Sequence, residues 1–281
     1  MSAISMLVNG AATDVIAVAD RGVQYGDGLF ETIKITAGAA EFWDRHLARL
    51  AFGCGRLAIP APDNGLLRRE AMQLCEGAAN GVLKIIVTRG QGGRGYCPPE
   101  PVTPSRIVAL YPAPDHPESW AREGVRLHIC ETRLADQPRL AGLKHLNRLE
   151  QILARSEWSD ADTAEGLMCD YSDAVIEGTM SNLFLVRNGA LHTPDLTRCG
   201  VAGIMRAVIL EIARNLGFEI EVRRIERSDL DEADEVFVTN SVIGIWPVRA
   251  IENRKLRPGS VTAELSEAVL RLTKDRAAAG T

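Results

Sequence analysis

Apolar and polar residues alternate along several stretches of the chain, and this period of two predicts β-strands. In GLFETIKI, the residues Phe30, Thr32 and Lys34 fall on one side of such a strand. Nearer the start, the apolar run MLV, the turn dipeptide Asn9-Gly10 and the run VIAVA predict a β-hairpin. Further strands are predicted at 82–88, 106–111, 125–131, 166–170, 173–177, 182–187 and 234–240.

Other segments repeat their apolar residues every three or four positions, which predicts helices with one buried face. A helix capped by Asp44 would bury Leu47, Leu50, Ala51 and Cys54. The same spacing recurs in residues 204–216, in the C-terminal segment with Leu265, Ala268, Val269 and Leu272, and in residues 147–157, where Leu149, Ile152 and Leu153 form the face expected to pack.

The order of these elements predicts the fold class. Strands and helices are mixed without a regular βαβ alternation, which favours an α+β fold over a doubly wound sheet. A stretch rich in proline and polar residues, at 113–124, predicts a linker. We therefore expect a smaller N-terminal α+β domain at 1–112 and a larger C-terminal domain at 125–281.

Composition narrows the class of function. The 281 residues include 46% hydrophobic and 25% charged residues, and the formal net charge of −5 argues against a nucleic-acid partner or a polybasic membrane anchor. No stretch is typical of a targeting or transmembrane segment. The six cysteines lie far apart without a C-x-x-C pair, which predicts reduced thiols in a cytoplasmic protein and no metal site.

The loop TRGQGGRGY contains a misleading motif. Gly90, Gly92 and Gly95 spell G-x-G-x-x-G after a predicted strand, but a dinucleotide site needs a helix to begin there. The following residues, YCPP, cannot open such a helix. Arg94 and Tyr96 instead present a charge and an aromatic ring, a combination that suits the carboxylate of a cyclic small-molecule substrate.

Lys144, in GLKHLNRLEQ, enters a segment rich in apolar residues. A snorkelling lysine, a buried ion pair and an exposed strand end are the ordinary explanations. A lysine that forms a Schiff base with pyridoxal phosphate is the chemical alternative. That cofactor also needs a carboxylate at its pyridine nitrogen, and backbone N–H groups and a cation at its phosphate.

Candidates for each of these parts are present. Glu177 ends the extended run DAVIEG, Gly200 and Gly203 precede a predicted helix, and Arg49 lies on the helix after Asp44. Each also has an ordinary explanation. Glu177 could be a turn residue, the glycines could belong to a loop, and Arg49 could lie on a solvated helix face. The residues alone therefore indicate an α+β enzyme with a candidate lysine-bound cofactor, and no more.

The segments RGVQYGDGLFET, HLARL, TRGQGGRGY, GLKHLNRLEQ, EGTMSNLFLV, GVAGIMR and FVTNSVIGIWPV, in this order, resemble the fold-type IV pyridoxal-phosphate enzymes. That family includes branched-chain and D-amino-acid aminotransferases and aminodeoxychorismate lyase. The resemblance implies a two-domain fold whose larger C-terminal domain has a barrel-like sheet, with the cofactor between the domains. It also implies a homodimer whose active sites receive residues from both subunits.

The resemblance assigns roles to individual residues. Lys144 matches the Schiff-base lysine and general acid/base, Glu177 the partner of the pyridine nitrogen, and Arg49 the phosphate-binding arginine. The remaining phosphate contacts match the backbone of Ile204 and Met205 together with Asn240 and Ser241. Phe30, Arg94 and Tyr96 are the expected substrate contacts.

The forms GGRGY, KHLNRLEQ, GVAGIMR and NSVIGIWPV are most similar to the lyase branch, and Thr32 near the lysine is a further pointer to it. The implied reaction converts 4-amino-4-deoxychorismate to 4-aminobenzoate and pyruvate. An aminotransferase acting on D-amino or branched-chain acids is the alternative within the fold. If the chain is not an enzyme, the alternative is a non-catalytic binding protein of the same fold.

Overall fold

The structure is a computed structural model of the chain, and it describes residues 3–279, with side chains described for residues 3–275. Contacts divide the chain into two compact units. Unit 1 contains the described residues of Met1–Pro114, the segment Leu143–Asn147 and the described residues of Asp275–Thr281. Unit 2 contains Asp115–Gly142 and Arg148–Lys274. Lys144 thus belongs to unit 1, and the domain limits predicted from composition stay a prediction.

The described helices are α1 (Arg21–Tyr25), α2 (Trp43–Leu57), α3 (Asn64–Cys75), α4 (Glu118–Glu123), α5 (Leu149–Arg155), α6 (Ile204–Asn215), α7 (Arg227–Glu232) and α8 (Ser260–Ala279). The described strands are β1 (Ser5–Val8), β2 (Gly28–Thr36), β3 (Ala39–Ala40), β4 (Asn80–Thr88), β5 (Ser105–Tyr111), β6 (Val125–Leu134), β7 (Thr163–Asp170), β8 (Val175–Gly178), β9 (Asn182–Arg187), β10 (Ala190–Pro194), β11 (Ile220–Arg223), β12 (Glu235–Asn240), β13 (Gly244–Ile251) and β14 (Arg254–Lys255).

Unit 1 is built on an antiparallel sheet with the strand order β1-β5-β4-β2-β3. Strand β2, which pairs with β4 and β3, buries Ile33 and Ile35 on one face. Helix α2 packs against this strand and buries Leu47, Leu50 and Cys54. The approach is close at Gly53, where a Cβ would lie 2.8 Å from Leu29 Cδ1.

Unit 2 contains a sheet that closes on itself. Strands β9, β12, β13, β6, β7 and β8 pair in that order, and β8 pairs again with β9 through Glu177 and Asn182. This barrel confirms the predicted α+β fold with a barrel-like sheet in the larger, C-terminal part. Strands β10, β11 and β14 extend it.

The barrel strands share an apolar core that includes Val125, Leu167, Leu183 and Val238. On neighbouring strands, the fully buried rings of Phe184 and Phe237 stack with centroids 4.9 Å apart and planes 11° apart. Offset-stacked aromatic pairs add favourable quadrupole interactions to the burial of their area. This pair is therefore a large local contribution to the stability of unit 2.

The two Asn-Gly dipeptides both turn the chain, but only one of them joins two paired strands. Asn188 and Gly189 have positive φ values of 50° and 79° and join β9 to β10 as a tight antiparallel hairpin. Asn9-Gly10 also turns the chain, but VIAVA forms no strand, and β1 pairs with β5 instead. The predicted first hairpin is therefore wrong, because a partner distant in sequence takes the strand edge.

Helix α2 begins differently from the prediction. Its N-cap is Phe42, which has φ 55°, and Asp44 lies in the first turn rather than at the cap. There its carboxylate still lies near the positive end of the helix dipole. Ala51, predicted to be buried, is exposed, whereas the other three predicted core positions are buried.

Helix α5 corrects a second expectation. It is shorter than predicted, and its apolar residues Leu149, Ile152 and Leu153 are 73%, 60% and 61% exposed. Gln151 and Ala154 face the interior instead. Helical spacing of apolar residues indicates an apolar face, but it does not identify what covers that face.

No described helix is long and apolar enough to cross a membrane.

We expect Phe237→Ala to lower the free energy of unfolding by about 3–5 kcal/mol, because it empties a buried aromatic site that the barrel cannot refill. Urea unfolding followed by circular dichroism measures the change. Phe52→Ala is the matched control, since Phe52 is 58% exposed, and its effect should stay below about 0.5 kcal/mol. Equal losses for the two variants would contradict the assignment of the stacked pair to the core.

Candidate functional site

The start of β2 holds the segment that carries Lys144. The N–H of Phe30 donates to the carbonyl of Lys144 over 2.9 Å, and the N–H of Leu146 donates to the carbonyl of Gly28 over 3.0 Å. These bonds fix the backbone on both sides of the lysine. The Lys144 ammonium lies 4.4 Å from the centroid of the Phe30 ring, which shields one side of the group from water.

The pleat of β2 places Phe30 and Thr32 on the same face, both half-buried, whereas Glu31 points to the opposite, buried face. Thr32 is paired in register with Lys84 on β4. The Lys84 ammonium lies 5.3 Å from the same Phe30 ring, and burial lowers the pKa of Lys84. Two amines and a hydroxyl thus share one face of unit 1. Lys84 was not predicted as a site residue, although the strand that carries it was.

Behind this face lies a buried charged group. The Glu31 carboxylate is 1% exposed and accepts from His46 Nδ1 at 2.6 Å and from Arg49 Nε and Nη2 at 2.8 and 2.5 Å. Burial alone would raise the pKa of Glu31, but the hydrogen bonds and positive charges of His46 and Arg49 outweigh it, and the pKa is lowered. Arg49 is therefore held in one orientation by a bidentate ion pair.

His46 completes this group as a neutral imidazole. Burial lowers its pKa, and the charges of Arg49 and Lys144 lower it further, against the opposing effect of Glu31. A neutral ring that donates from Nδ1 to Glu31 leaves a lone pair on Nε2. That buried Nε2 has no hydrogen-bond partner among the described residues.

Arg94 and Tyr96 lie on the loop between β4 and β5. No helix follows β4, so the G-x-G-x-x-G motif lacks the helix N-terminus that a dinucleotide site needs. Both side chains are exposed, Tyr96 by 86%. The Tyr96 ring meets the edge of Tyr25 with centroids 5.5 Å apart.

In unit 2, Glu177 lies at the end of β8 and is 4% exposed. Its Oε2 accepts from the N–H of Val201 over 2.7 Å. The carbonyl of Val201 accepts from Asn182 Nδ2 over 2.9 Å. The two ends of the residue are thus tied to the two strands that close the barrel. Both Asn182 and Val201 escaped the sequence analysis, because they carry no reactive group.

Helix α6 begins directly after this segment, with Gly203 as its N-cap and no side-chain hydrogen bond capping it. The first N–H groups of a helix have no partner within the helix and favour anions. A Cβ on Gly203 would lie 2.0 Å from Asn182 Oδ1, so any larger residue here would displace the Asn182 side chain. Ile204 and Met205 therefore start a helix whose N-terminus is suited to a phosphate.

Asn240 and Ser241 lie where β12 ends. Asn240 Oδ1 accepts from the N–H groups of Val242 and Ile243 at 2.8 and 2.9 Å, and its Nδ2 donates to the carbonyl of Met180 over 3.1 Å. The Asn240 side chain thus shapes the turn that presents Ser241. Its predicted contact with a phosphate stays a prediction.

The turn after Glu177 is fixed by another buried carboxylate. Glu165 accepts from the N–H groups of Gly166, Thr179 and Met180 and from the hydroxyls of Thr179 and Ser181, at 2.5–3.1 Å. Burial raises the pKa of Glu165 despite these bonds. Glu165 was not predicted from the sequence, because all its partners except Gly166 lie 14–16 positions away.

The predicted site residues fall into two groups. Unit 1 brings together Lys144, Phe30 and Thr32, and fixes Arg49 on the opposite face of β2. Unit 2 connects Glu177 through Val201 to the N-terminus of α6. Within the described residues, no group of three or more His, Cys, Asp or Glu side chains is arranged to hold a metal ion.

Comparison with known proteins identifies relatives over most of the chain. The amino-transferase class IV family matches residues 28–251. The chain is 40% identical over 244 residues to an aminodeoxychorismate lyase of Vibrio harveyi, covering 87% of this chain and 90% of that protein. It is 26% identical over 278 residues to a D-alanine aminotransferase of Bacillus licheniformis, covering 95% and 96%.

Solved structures give the same picture. The crystal structure of 4-amino-4-deoxychorismate lyase from Pseudomonas aeruginosa matches with a TM-score of 0.91 and 52% identity, covering 94% of this chain and 97% of that one. A branched-chain amino acid aminotransferase from Escherichia coli matches with a TM-score of 0.82 and 25% identity, covering 97% and 95%.

We expect Glu31→Gln to lower the free energy of unfolding of the cofactor-free protein by about 3–5 kcal/mol at neutral pH, because it removes one partner from a buried ion pair. Since the folded-state pKa of Glu31 is lowered from 4.5, its stabilisation is complete above that value and is lost as the pH falls through the lowered pKa. The difference between wild type and variant should therefore shrink in acid.

Chemical denaturation at several pH values measures this difference. Glu123→Gln is the control, since Glu123 pairs with Arg122 on the surface, and its loss should stay below about 1 kcal/mol. A Glu31 variant as stable as the control at neutral pH would contradict the buried network.

Proposed function

The chain belongs to the amino-transferase class IV family, and from this premise we propose that it is a pyridoxal-phosphate-dependent lyase that converts 4-amino-4-deoxychorismate to 4-aminobenzoate and pyruvate. The observation that carries the proposal is the face of β2 that holds Thr32 and Phe30, with the Lys144 amine over the Phe30 ring. The 52% identity to the Pseudomonas aeruginosa lyase favours this chemistry over amine transfer.

The residues present fit the cofactor. The uncapped N-terminus of α6 suits its phosphate, and the buried carboxylate of Glu177 suits a protonated pyridine nitrogen. Arg49, oriented by Glu31, supplies a fixed positive charge for the phosphate. When bound, pyridoxal phosphate withdraws electrons from the carbon that carries the substrate amine.

Lys144 has two tasks in this proposal. Its amine would hold the cofactor and, as a free base, would take the proton from the amine-bearing carbon of the substrate. The electrons left behind expel the neighbouring enolpyruvyl oxygen, and the ring becomes aromatic. Lys144, with the Thr32 hydroxyl on the same face, returns a proton to the departing group, which leaves as pyruvate. The proton removed from carbon thus ends on the product, and the reaction consumes no other reagent.

The substrate carries two carboxylates, and unit 1 offers cations for them. Arg94 and Tyr96 are exposed on their loop, and we assign them to one carboxylate. Lys84 lies on the Lys144 face, and its ammonium has no ion pair within the described part of the chain. We assign Lys84 to the second carboxylate, and Phe30 to contact with the ring. Two separated cations would select a rigid dianion over a simple amino acid.

Amine transfer is the second candidate, favoured by the aminotransferases among the relatives. It would use Lys144 and Glu177 in the same way and would differ after proton removal. A lyase needs no 2-oxo acid, whereas an aminotransferase cannot turn over without one. The two functions are therefore distinguished by whether turnover requires an added 2-oxo acid.

We further propose that the protein is a homodimer in the cytoplasm. The exposed α5 face formed by Leu149, Ile152 and Leu153 is the surface that a second copy would cover. All six cysteines are free thiols, which fits a reducing compartment.

Product analysis tests the lyase. With 4-amino-4-deoxychorismate and no 2-oxo acid, we expect repeated turnover with equal amounts of 4-aminobenzoate and pyruvate. Lys144→Ala should lower the rate at least about a hundredfold, the range typical of losing a general acid/base. Product that forms only after a 2-oxo acid is added would establish the aminotransferase. If the protein forms no product and binds no cofactor, the result would favour a non-catalytic binding protein.

Sedimentation equilibrium tests the dimer. Ile152→Asp should weaken self-association by about tenfold or more, equivalent to about 1.4 kcal/mol, because it introduces a charge into an apolar interface. Met72→Asp is the matched control, since Met72 is 67% exposed on α3, and it should leave the association constant unchanged. A monomeric wild type, or a dimer unaffected by the change at Ile152, would contradict the proposal.

A further inference from the structure

The loop that carries Arg94 and Tyr96 is fixed at its base by residues 19–21, where α1 begins. The N–H of Arg21 donates to the carbonyl of Gly90 over 2.8 Å, and the N–H of Gly92 donates to the carbonyl of Ala19 over 3.2 Å. These backbone bonds hold the start of the loop against residues 19–21. They do not reach the part of the loop that presents the two exposed side chains.

The Arg21 side chain reaches that part. Its Nη1 donates to the carbonyls of Gly95 at 2.9 Å and Cys97 at 3.4 Å, and its Nη2 donates to the carbonyl of Tyr96 at 3.0 Å. Arg21 is 3% exposed, so its side chain is held largely out of solvent. One guanidinium thereby fixes three consecutive peptide groups directly after Arg94.

Arg21 is itself fixed from two sides. Its Nε donates to Asp27 Oδ2 over 2.8 Å, and Asp27 also accepts from Arg89. Its guanidinium lies 4.9 Å from the centroid of the Tyr25 ring, whose hydroxyl accepts from the N–H of Gly95 over 3.2 Å. The planar fork of arginine can serve an acid and several carbonyls together, whereas a lysine ammonium cannot.

Gly92 supplies the space that this arrangement needs. A Cβ at Gly92 would lie 2.9 Å from Arg21 Cδ. A Cβ at Gly93 would meet nothing within 4 Å. An alanine at Gly92 would therefore press on Arg21, whereas an alanine at Gly93 would touch nothing. The two substitutions form a matched pair of variants.

We propose that Arg21 is a positioning residue for substrate recognition, which holds the 95–97 segment so that Arg94 and Tyr96 are ordered before the substrate arrives. Ordering a loop in advance removes an entropy cost from binding, so its loss appears in affinity. The inference rests on the proposed function for the role of Arg94 and Tyr96. It assigns to Arg21 an effect on KM and none on the chemistry at Lys144.

The test combines kinetics with trypsin cleavage after Arg94, followed by mass spectrometry. Arg21→Lys keeps the charge opposite Asp27 but cannot bridge the three carbonyls. We expect KM to rise about tenfold, kcat to stay within about twofold and cofactor affinity to stay unchanged. Cleavage after Arg94 should be about tenfold faster, because proteolysis follows the population of the open loop. Gly92→Ala should act in the same direction, and Gly93→Ala should match wild type.

Faster cleavage with an unchanged KM, or a fall in kcat alone, would overturn the positioning role, and equal cleavage rates would show that Arg21 does not hold the loop. If Arg21→Lys does not fold, Gly92→Ala against Gly93→Ala decides the same question. The cleavage comparison needs no turnover. A wild type without lyase activity would thus remove the proposed function, while the cleavage rates would still decide whether Arg21 orders the loop.

Discussion

Successive side chains of a β-strand point to opposite faces, and in β2 this alternation separates two kinds of chemistry. Phe30, which lies against the amine of Lys144, and Thr32 share one face, whereas Glu31 faces the buried side and pairs with His46 and Arg49. The apolar positions beyond Glu31 secure α2, and through it the arginine. A shift of one residue in the pairing of β2 would bury the threonine and expose the carboxylate. The register with β4 is therefore a condition for the site as well as for the fold.

Unit 2 fixes its functional groups through the backbone. Val201 donates to Glu177 and accepts from Asn182, so one residue links the carboxylate to the segment that opens α6. Glu165 sets the turn on the other side of Glu177. None of these supporting contacts requires a reactive group. Their effect is to keep a carboxylate and a helix terminus at fixed positions, which electrostatic recognition depends on.

The sequence predicted best where local pattern and tertiary environment agree. Strand β9 and the start of α6 coincide with the prediction, because a hairpin turn and a glycine mark them locally. The apolar face of α5 was predicted to be packed but is exposed, because helical spacing shows where an apolar face lies and not which element covers it. Arg21 could not be found in this way, since its loop contacts span more than 70 residues. Lys144 and Glu177 were recognised through their motifs, but the residues that hold Glu177 carry no chemical signature.

The distribution of thiols gives the loop a further property. All six cysteines lie in the described part of the chain; five are buried, and Cys97, beside Tyr96, is exposed. Burial raises the pKa of Cys54 to about 11 and, as the main cause, those of Cys130 and Cys199 to about 12, which suppresses their thiolates at neutral pH. A thiol-reactive fluorophore would therefore attach selectively at Cys97. The protein thus carries a natural labelling position that reports on the surroundings of this loop without an engineered residue.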